Sequence, residues 1–482
     1  MDEQGAFKMR LGLTRNTLRL FCSVVVLAGA FSVSRPATAE SLADALVGAY
    51  EHSGLIDQNR ALLRAADEDV ARAVSSLKPV LRWAASISQS FGRIKTVTTP
   101  SAFPNENLTL ALSLTASQLL YDFGASKYRI EATKETVLAT RNTLLDIEQQ
   151  VLLRAITAYM GVVEASEFVA LRQNNVRLLI QELRATRDRF EVGEVTRTDV
   201  ALAEAQLAQA RSGLAGAEGD LLRANEEYRN VVGRAPGRLS PPPRLPDLGK
   251  DLKAAKALAV RQHPAILGVQ HQVAAADLLV KAGEADMRPV VTLQGSLGLN
   301  ENINNDGFNR TGSVGVEAGQ TIYQGGALSS AVRQRMAQAS AQRGNLHTVR
   351  HNLQQQVGNA FATLSSTRAQ LEASDRQIRA ATIAFRGIRE EAALGARTTL
   401  DVLNSEQSLL DAQSLQVSAR ANLYVAAYAV LSTTGQLTAE KLRLPVQIYD
   451  PIAYYNLVKD GPARKTKRGK KLDQILRDVY NK

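Results

Sequence analysis

The chain is poor in reactive and structural staples. It has one cysteine, Cys22, among 482 residues, one tryptophan and five histidines, and aromatic residues make up 5% of it. A lone cysteine excludes a disulfide framework within the chain and a cysteine metal cluster. His347 and His351 have the i, i+4 spacing of a metal pair, but no HEXXH glutamate, cysteine or third histidine lies near them, so they read as a surface pair on a helix. No Ser-His-Asp order, phosphate-binding loop or paired-carboxylate site stands out, so the chain reads as a non-enzyme without a cofactor. Long apolar runs are also missing. The longest, residues 21–31, is about 11 residues and cannot cross ~30 Å of hydrocarbon.

What charge there is sits at the ends. The formal net charge is +11. Residues 1–39 carry Lys8, Arg10, Arg15, Arg19 and Arg35, and residues 459–482 carry nine basic residues against Asp460, Asp473 and Asp478, leaving the body nearly neutral. Nucleic-acid binding, which a basic balance suggests, is not indicated. Residues 1–39 read as a signal peptide: a basic start, the apolar stretch 21–31 and an A-x-A cleavage site at 37–39. The chain is thus an exported protein. Its basic tail, 463–482, with a short amphipathic helix near 472–480, reads as a mobile periplasmic end or as a contact for an anionic partner or lipid.

The body is one pattern written twice. Tyr121 and Tyr323, Gly193 and Gly395, Asp199 and Asp401, and Gly233 and Gly435 all stand 202 residues apart, whereas Leu42 and Leu252, and Pro79 and Pro289, stand 210 apart. The first copy therefore carries eight extra residues, placed between Pro79 and Tyr121. Residues 125–189 hold no proline and are rich in Ala, Leu, Arg, Glu and Gln, which predicts a helix of ~100 Å. Residues 196–231 continue in the same composition, and 327–393 with 398–432 repeat the pair. Gly193 and Gly395, each followed by a capping threonine, Thr196 and Thr398, mark the tips of two antiparallel helical hairpins. Shorter helices are expected over 41–77 and 250–286.

Between each proline and its tyrosine the period changes to two. Leu108, Leu110, Leu112 and Leu114 alternate with Thr109, Ala111, Ser113 and Thr115, and the other three segments do the same. Strands are expected at about 80–93, 107–121, 290–300 and 311–323. The pattern fits either a sandwich on a structural periplasmic coiled-coil scaffold or a transmembrane barrel with its apolar face toward lipid. Four strands are too few to close such a barrel alone, so several chains must each contribute four. The expected organisation is a signal peptide at 1–39, repeat 1 at 40–238, a proline-rich linker at 239–250, repeat 2 at 251–440, and a periplasmic C-terminal segment with the basic tail at 441–482.

On the junctions LLYDFG and TIYQGG, the tips VGEVTRTDV and LGARTTLDV, and the stretch ALAVRQHPAIL at 257–267, the chain resembles the TolC-like outer-membrane efflux and secretion family. The resemblance covers about 41–444. It implies a mixed α/β membrane protein: a homotrimer with a 12-stranded outer-membrane β-barrel and a periplasmic α-helical barrel. It also implies an exit duct for type I protein secretion or drug efflux, set in outer-membrane lipid. Such a duct is opened by a periplasmic adaptor (membrane fusion protein) and an inner-membrane ABC or proton-driven transporter.

Carried over residue by residue, the resemblance implies a periplasmic gate in which Arg397 pairs with Thr198 and Asp199, and a constriction ring at Asp401. A family tyrosine of the gate falls on Ala392 here, and a second ring aspartate falls on Asn404. Val192, Gly193, Glu194, Leu394, Gly395 and Ala396 are the implied adaptor-contacting tips.

Overall fold

The computed structural model describes residues 39–98, 101–249, 251–304 and 307–480. The predicted signal segment lies outside the described residues apart from Ala39. The described chain runs α1 (Leu42–His52), α2 (Gly54–Ser75), β1 (Val80–Ile94), β2 (Phe103–Tyr121), α3 (Ala125–Glu191) and α4 (Arg197–Val232), then α5 (Leu252–Gln262), α6 (Pro264–Ala285), β3 (Val290–Asn302), β4 (Phe308–Gly319), α7 (Ala327–Ala393) and α8 (Thr399–Thr433). Two further helices, α9 (Pro451–Val458) and α10 (Lys467–Tyr480), form the C-terminal segment. The repeats match almost residue for residue: α1 and α5 have 11 residues each, α2 and α6 have 22, and α3 and α7 have 67.

Local chemistry fixes the ends. Ser41 and Asp44 form a capping box on α1, and the imidazole Nδ1 of His263 accepts from the Ala265 N–H to cap α6. Burial holds the His263 pKa down, which keeps the ring neutral and able to accept. The strand-to-helix junctions need two consecutive residues at positive φ. The second copy supplies Gly325 (φ 54) and Gly326 (φ 82). The first supplies Phe123 (φ 55) and Gly124 (φ 90), so one position carries the strain of a side chain in the left-handed region. Phe123 is held by the Tyr121 ring, 4.8 Å between centroids, and by the Arg288 guanidinium above it. Asp122 accepts from the Gly124 and Ser126 N–H groups and caps α3.

The strands form one antiparallel sheet in the order β1-β2-β3-β4. The first hairpin reaches further, with strands of 15 and 19 residues against 13 and 12 in the second, which places the eight-residue insertion. β2 begins at Phe103, earlier than the alternation suggests, because pairing extends to Ile94↔Phe103. β4 stops at Gly319, short of Tyr323, where its pairing with Val290 ends. Register puts apolar residues in continuous rows: Trp83 opposes Leu114, which opposes Leu297, while Ala85 opposes Leu112, which opposes Leu299. The other face carries Ser113, Thr115, Ser296 and Ser313, with the hydroxyls of Ser296 and Ser313 2.7 Å apart. Trp83 is 75% exposed and Val314 84%. No helix among the described residues is long and apolar enough to cross a membrane.

The largest core lies halfway down the helices. Tyr159, near the middle of α3, and Tyr228 of α4 are fully buried there with Leu42, Leu152, Ile156 and Leu437. The Tyr159 hydroxyl donates to the Ser240 carbonyl at 2.6 Å and ties down the segment that leaves repeat 1. From this belt, α3 runs toward the sheet against α2 and α6, and toward its tip against α4 and α8.

The C-terminal segment is docked, in contrast to the mobile tail expected from composition. Tyr454, Val458 and Leu472 pack on Ala71 of α2. The acidic run at 67–69, which composition alone makes a solvated face, is not one. Asp67 is fully buried, Glu68 accepts the Tyr454 hydroxyl at 2.8 Å, and only Asp69 stays outside, paired with Arg72. Burial pushes the Asp67 carboxyl up to about 6, with the Arg141 guanidinium opposing the shift.

Leu112 and Ser113 are adjacent and point to opposite faces. Leu112→Arg should lower the yield of the assembled outer-membrane form far more than Ser113→Arg. A lipid-facing charge at mid-membrane costs about 2–4 kcal/mol, whereas the opposite face is wet. Heat-modifiable mobility in gels measures the yield, and equal yields would mean that the faces are assigned the wrong way round.

Candidate functional site: the hairpin tips

Each hairpin turns through a glycine at positive φ, Gly193 (φ 81) and Gly395 (φ 79), and restarts with a capping box. Thr196 and Asp199 cap α4, and Thr398 and Asp401 cap α8, each carboxylate taking the threonine N–H and hydroxyl. These bonds hold both carboxyls below the ordinary aspartate range. Thus the two acids that the family pattern assigns to the gate are engaged locally, at the N3 position of their helices.

Within one chain Arg397 does not meet Thr198 or Asp199. Its Nε donates to Glu391 Oε2 at 2.8 Å, at the C-terminal end of α7, and this pairing raises its pKa. Thr198 and Asn404 are exposed, as are Gly193, Glu194, Gly395 and Ala396. Val192 is 71% and Leu394 86% exposed, so each tip offers an apolar side chain to solvent.

The polar links that do join the two hairpins were not singled out from sequence. Arg189 donates to the carbonyl of Ala392 at 3.3 Å, and Ala392 itself is buried with Phe385 and Val402. Arg389 pairs with Glu182 at 3.1 Å, and Asn175 donates to Glu406 at 2.7 Å. Comparison of the repeats exposes the signal. Arg187 and Glu204 of repeat 1 pair with each other at 2.5 Å. Their counterparts 202 residues on, Arg389 and Glu406, turn away from each other to α3. Likewise Arg189 has Glu391 as its counterpart, an inversion of charge at one repeat position.

Glu406 is buried, with one carboxyl oxygen unbonded among the described residues. Burial pushes its carboxyl up to about 7, and the nearby Glu182 adds to the shift while Asn175 and Arg389 oppose it. His347 and His351 make a ring pair, 3.1 Å between Nε2 atoms, on the exposed side of α7, far along the chain from the tip. Among the described residues no group of three His, Cys, Asp or Glu could hold a metal ion.

A sheet with one lipid-type face and two edge strands, set on paired 67-residue helices, is the architecture of an outer-membrane channel protein with a helical periplasmic part. The family model described as outer membrane efflux protein matches residues 47–234 and 257–436. The chain belongs to that family: it is an efflux channel protein of the Gram-negative outer membrane, with its helical part in the periplasm. It is similar to the outer membrane efflux protein BepC of Brucella suis, 34% identical over 454 residues, covering 94% of this chain and 98% of that one. It is also similar to the outer membrane protein TolC of Escherichia coli, 24% identical over 358 residues, covering 70% of this chain and 71% of that one. In fold it is similar to the Campylobacter jejuni CmeC outer membrane channel, with a TM-score of 0.74 at 15% identity, over 88% of this chain and 90% of that one.

Glu406 sets a pH dependence. Its folded pKa lies above the ordinary 4.5, so the stability it contributes is complete below 4.5 and is lost as the pH rises toward about 7. The helical melt should therefore be higher at acidic than at neutral pH, by an amount on the order of 1–3 kcal/mol from this group. Glu406→Gln should remove that part of the slope. An unchanged slope in the variant would show that other groups set it.

Proposed function

We propose that three copies of the chain close their sheets edge to edge into a 12-stranded barrel and their hairpins into one periplasmic tube. The tube is a passive exit duct for type I protein secretion or drug efflux. The observation that carries this reading is the sheet itself. β1 and β4 are both edges, antiparallel to each other in direction, so β4 of one copy can continue onto β1 of the next. In hydrocarbon such edges must be paired, and head-to-tail pairing that closes gives a ring. The internal duplication supplies four matched helical columns per chain for the tube.

The periplasmic mouth is the regulated part. Docking of a periplasmic adaptor, which belongs with an inner-membrane ABC or proton-driven transporter, opens it. Val192, Gly193, Glu194, Leu394, Gly395 and Ala396 form the contact, because the exposed Val192 and Leu394 give an adaptor an apolar grip beside the glycine turns. Thr198, Asp199, Arg397, Asp401 and Asn404 form the gate, with Arg397 exchanging Glu391 for groups of a neighbouring hairpin. Charge-assisted hydrogen bonds at an exposed mouth are strong enough to hold it and weak enough to exchange. The chain itself has no catalytic step in this reading.

Two measurements test it. Cross-linking in detergent should yield trimers, and recovery of monomers alone would overturn the closed ring. In planar bilayers Arg397→Glu should raise single-channel conductance, because the substitution sets a new carboxylate against that of Glu391 and removes the cation that the neighbouring hairpin would bind. Asp199→Arg combined with Arg397→Glu should restore part of the closure. Parent-like conductance of the single variant would remove Arg397 from the gate.

A further inference from the structure

The docked C-terminal segment places a cluster of positive charge beside the junction of α2 and β1. Lys78, two residues before β1, donates its ammonium to the carbonyls of Asp460 and Gly461 in the turn between α9 and α10. That turn therefore sits where the chain passes from helix to strand, about 16 Å of extended chain from Trp83. From there α10 runs away from the sheet along α2, since Leu476 and Arg477 at its far end share a cavity with Ala61 and Arg64. Its near end and the preceding turn carry Arg464, Lys465, Lys467, Arg468, Lys470 and Lys471.

We infer that this segment is a polybasic clamp that holds anionic phospholipid headgroups of the periplasmic leaflet around the barrel. Three observations carry the inference. Arg464 pairs with Asp473 and Arg468 with Asp460, which leaves Lys465, Lys467, Lys470 and Lys471 exposed and without a carboxylate partner among the described residues. The apolar face of α10 is already occupied, Leu472 and Ile475 packing with Tyr454, Val458 and Ala71, so the helix cannot also bury that face in the bilayer. What its first turns offer is charge, at a fixed height. Finally, the first turn of α10 has no acidic residue, although the helix dipole disfavours cations there. An arrangement that costs helix stability is compensated by a negative surface beside it. Its position favours lipid over a soluble acidic protein, because the clamp is tied to the strand junction by Lys78. The family model ends at residue 436, so this segment lies outside what it matches.

The test uses the intact protein reconstituted into vesicles of phosphatidylcholine, alone or mixed with phosphatidylglycerol. Amine-reactive labelling is read at Lys465, Lys467, Lys470 and Lys471, with the exposed Lys253 of α5 as internal reference. The four lysines should be protected, relative to Lys253, only with phosphatidylglycerol, and about 0.5 M NaCl should abolish the protection. In the Lys470→Gln, Lys471→Gln variant the protection of Lys465 and Lys467 should fall by about fivefold for each lysine removed. Equal labelling in the two vesicle types would overturn the inference. So would equal protection by polyglutamate on the detergent-solubilised protein, which would assign the cluster to an acidic polymer instead of lipid.

Discussion

A sheet of four strands leaves β1 and β4 with one unpaired side each, and the rows through Trp83, Leu114 and Leu297 leave one of its faces apolar and bare. The chain that makes this sheet cannot complete it. In water such a sheet invites aggregation, and in lipid each unpaired backbone group costs several kcal/mol. Closure with other copies satisfies both demands at once. In the proposed ring the helices inherit that symmetry: the columns that descend from a ring of strands stand in a ring as well. The length of α3 and α7 must then match, and both have 67 residues.

Duplication explains the match and also shows where it was given up. Identical lengths, capping boxes and glycine turns survive in both halves, because each sets where a helix starts or stops. The exceptions are informative. Phe123 stands where the second copy has Gly325, a strained backbone exchanged for an aromatic side chain at the end of the sheet. Near the tips, the Arg187–Glu204 pair closes within its own hairpin, whereas the same two residue types at 389 and 406 reach across to α3. At this one pair of repeat positions the first hairpin is bonded to itself and the second to its neighbour.

Much of this was legible in the residues. The repeat offsets located the tips and the insertion, and the alternation of Leu108 to Leu114 gave both the strand and its apolar face. Helix and strand periods are properties of consecutive residues, which is why they can be read without the fold. The roles of Asp67, Glu406 and the tail could not. Asp67 sits in a run of three acids, and composition makes such a run solvated. It is buried only because Tyr454 and Leu472, from the far end of the chain, cover α2. Arg397 shows the complementary difficulty. Its partner in one chain, Glu391, is six residues away, while the family pattern pairs it with Thr198 and Asp199 of the first hairpin, which it does not bond within one chain.

The same distinction bears on how a mouth of this kind can open without unfolding. The contacts that hold the helices together are numerous and apolar, as in the cluster of Leu179, Leu207 and Leu403, and cannot be exchanged one at a time. The polar links between hairpins nearest the tips include three: Arg189 to Ala392, Arg389 to Glu182, Asn175 to Glu406. Each has a substitute in water or in a neighbouring side chain, whereas the apolar contacts of Leu403 with Leu179 and Leu207 have none. The least replaceable of the three is the buried one. Glu406 is already pushed toward its neutral form where it lies, and leaving α3 would let it ionise in water. The packing of Glu406 against α3 is therefore stronger in acid than at neutral pH. The second hairpin, which reaches across to α3 through Glu406 and Arg389, therefore carries the titratable contact between the two.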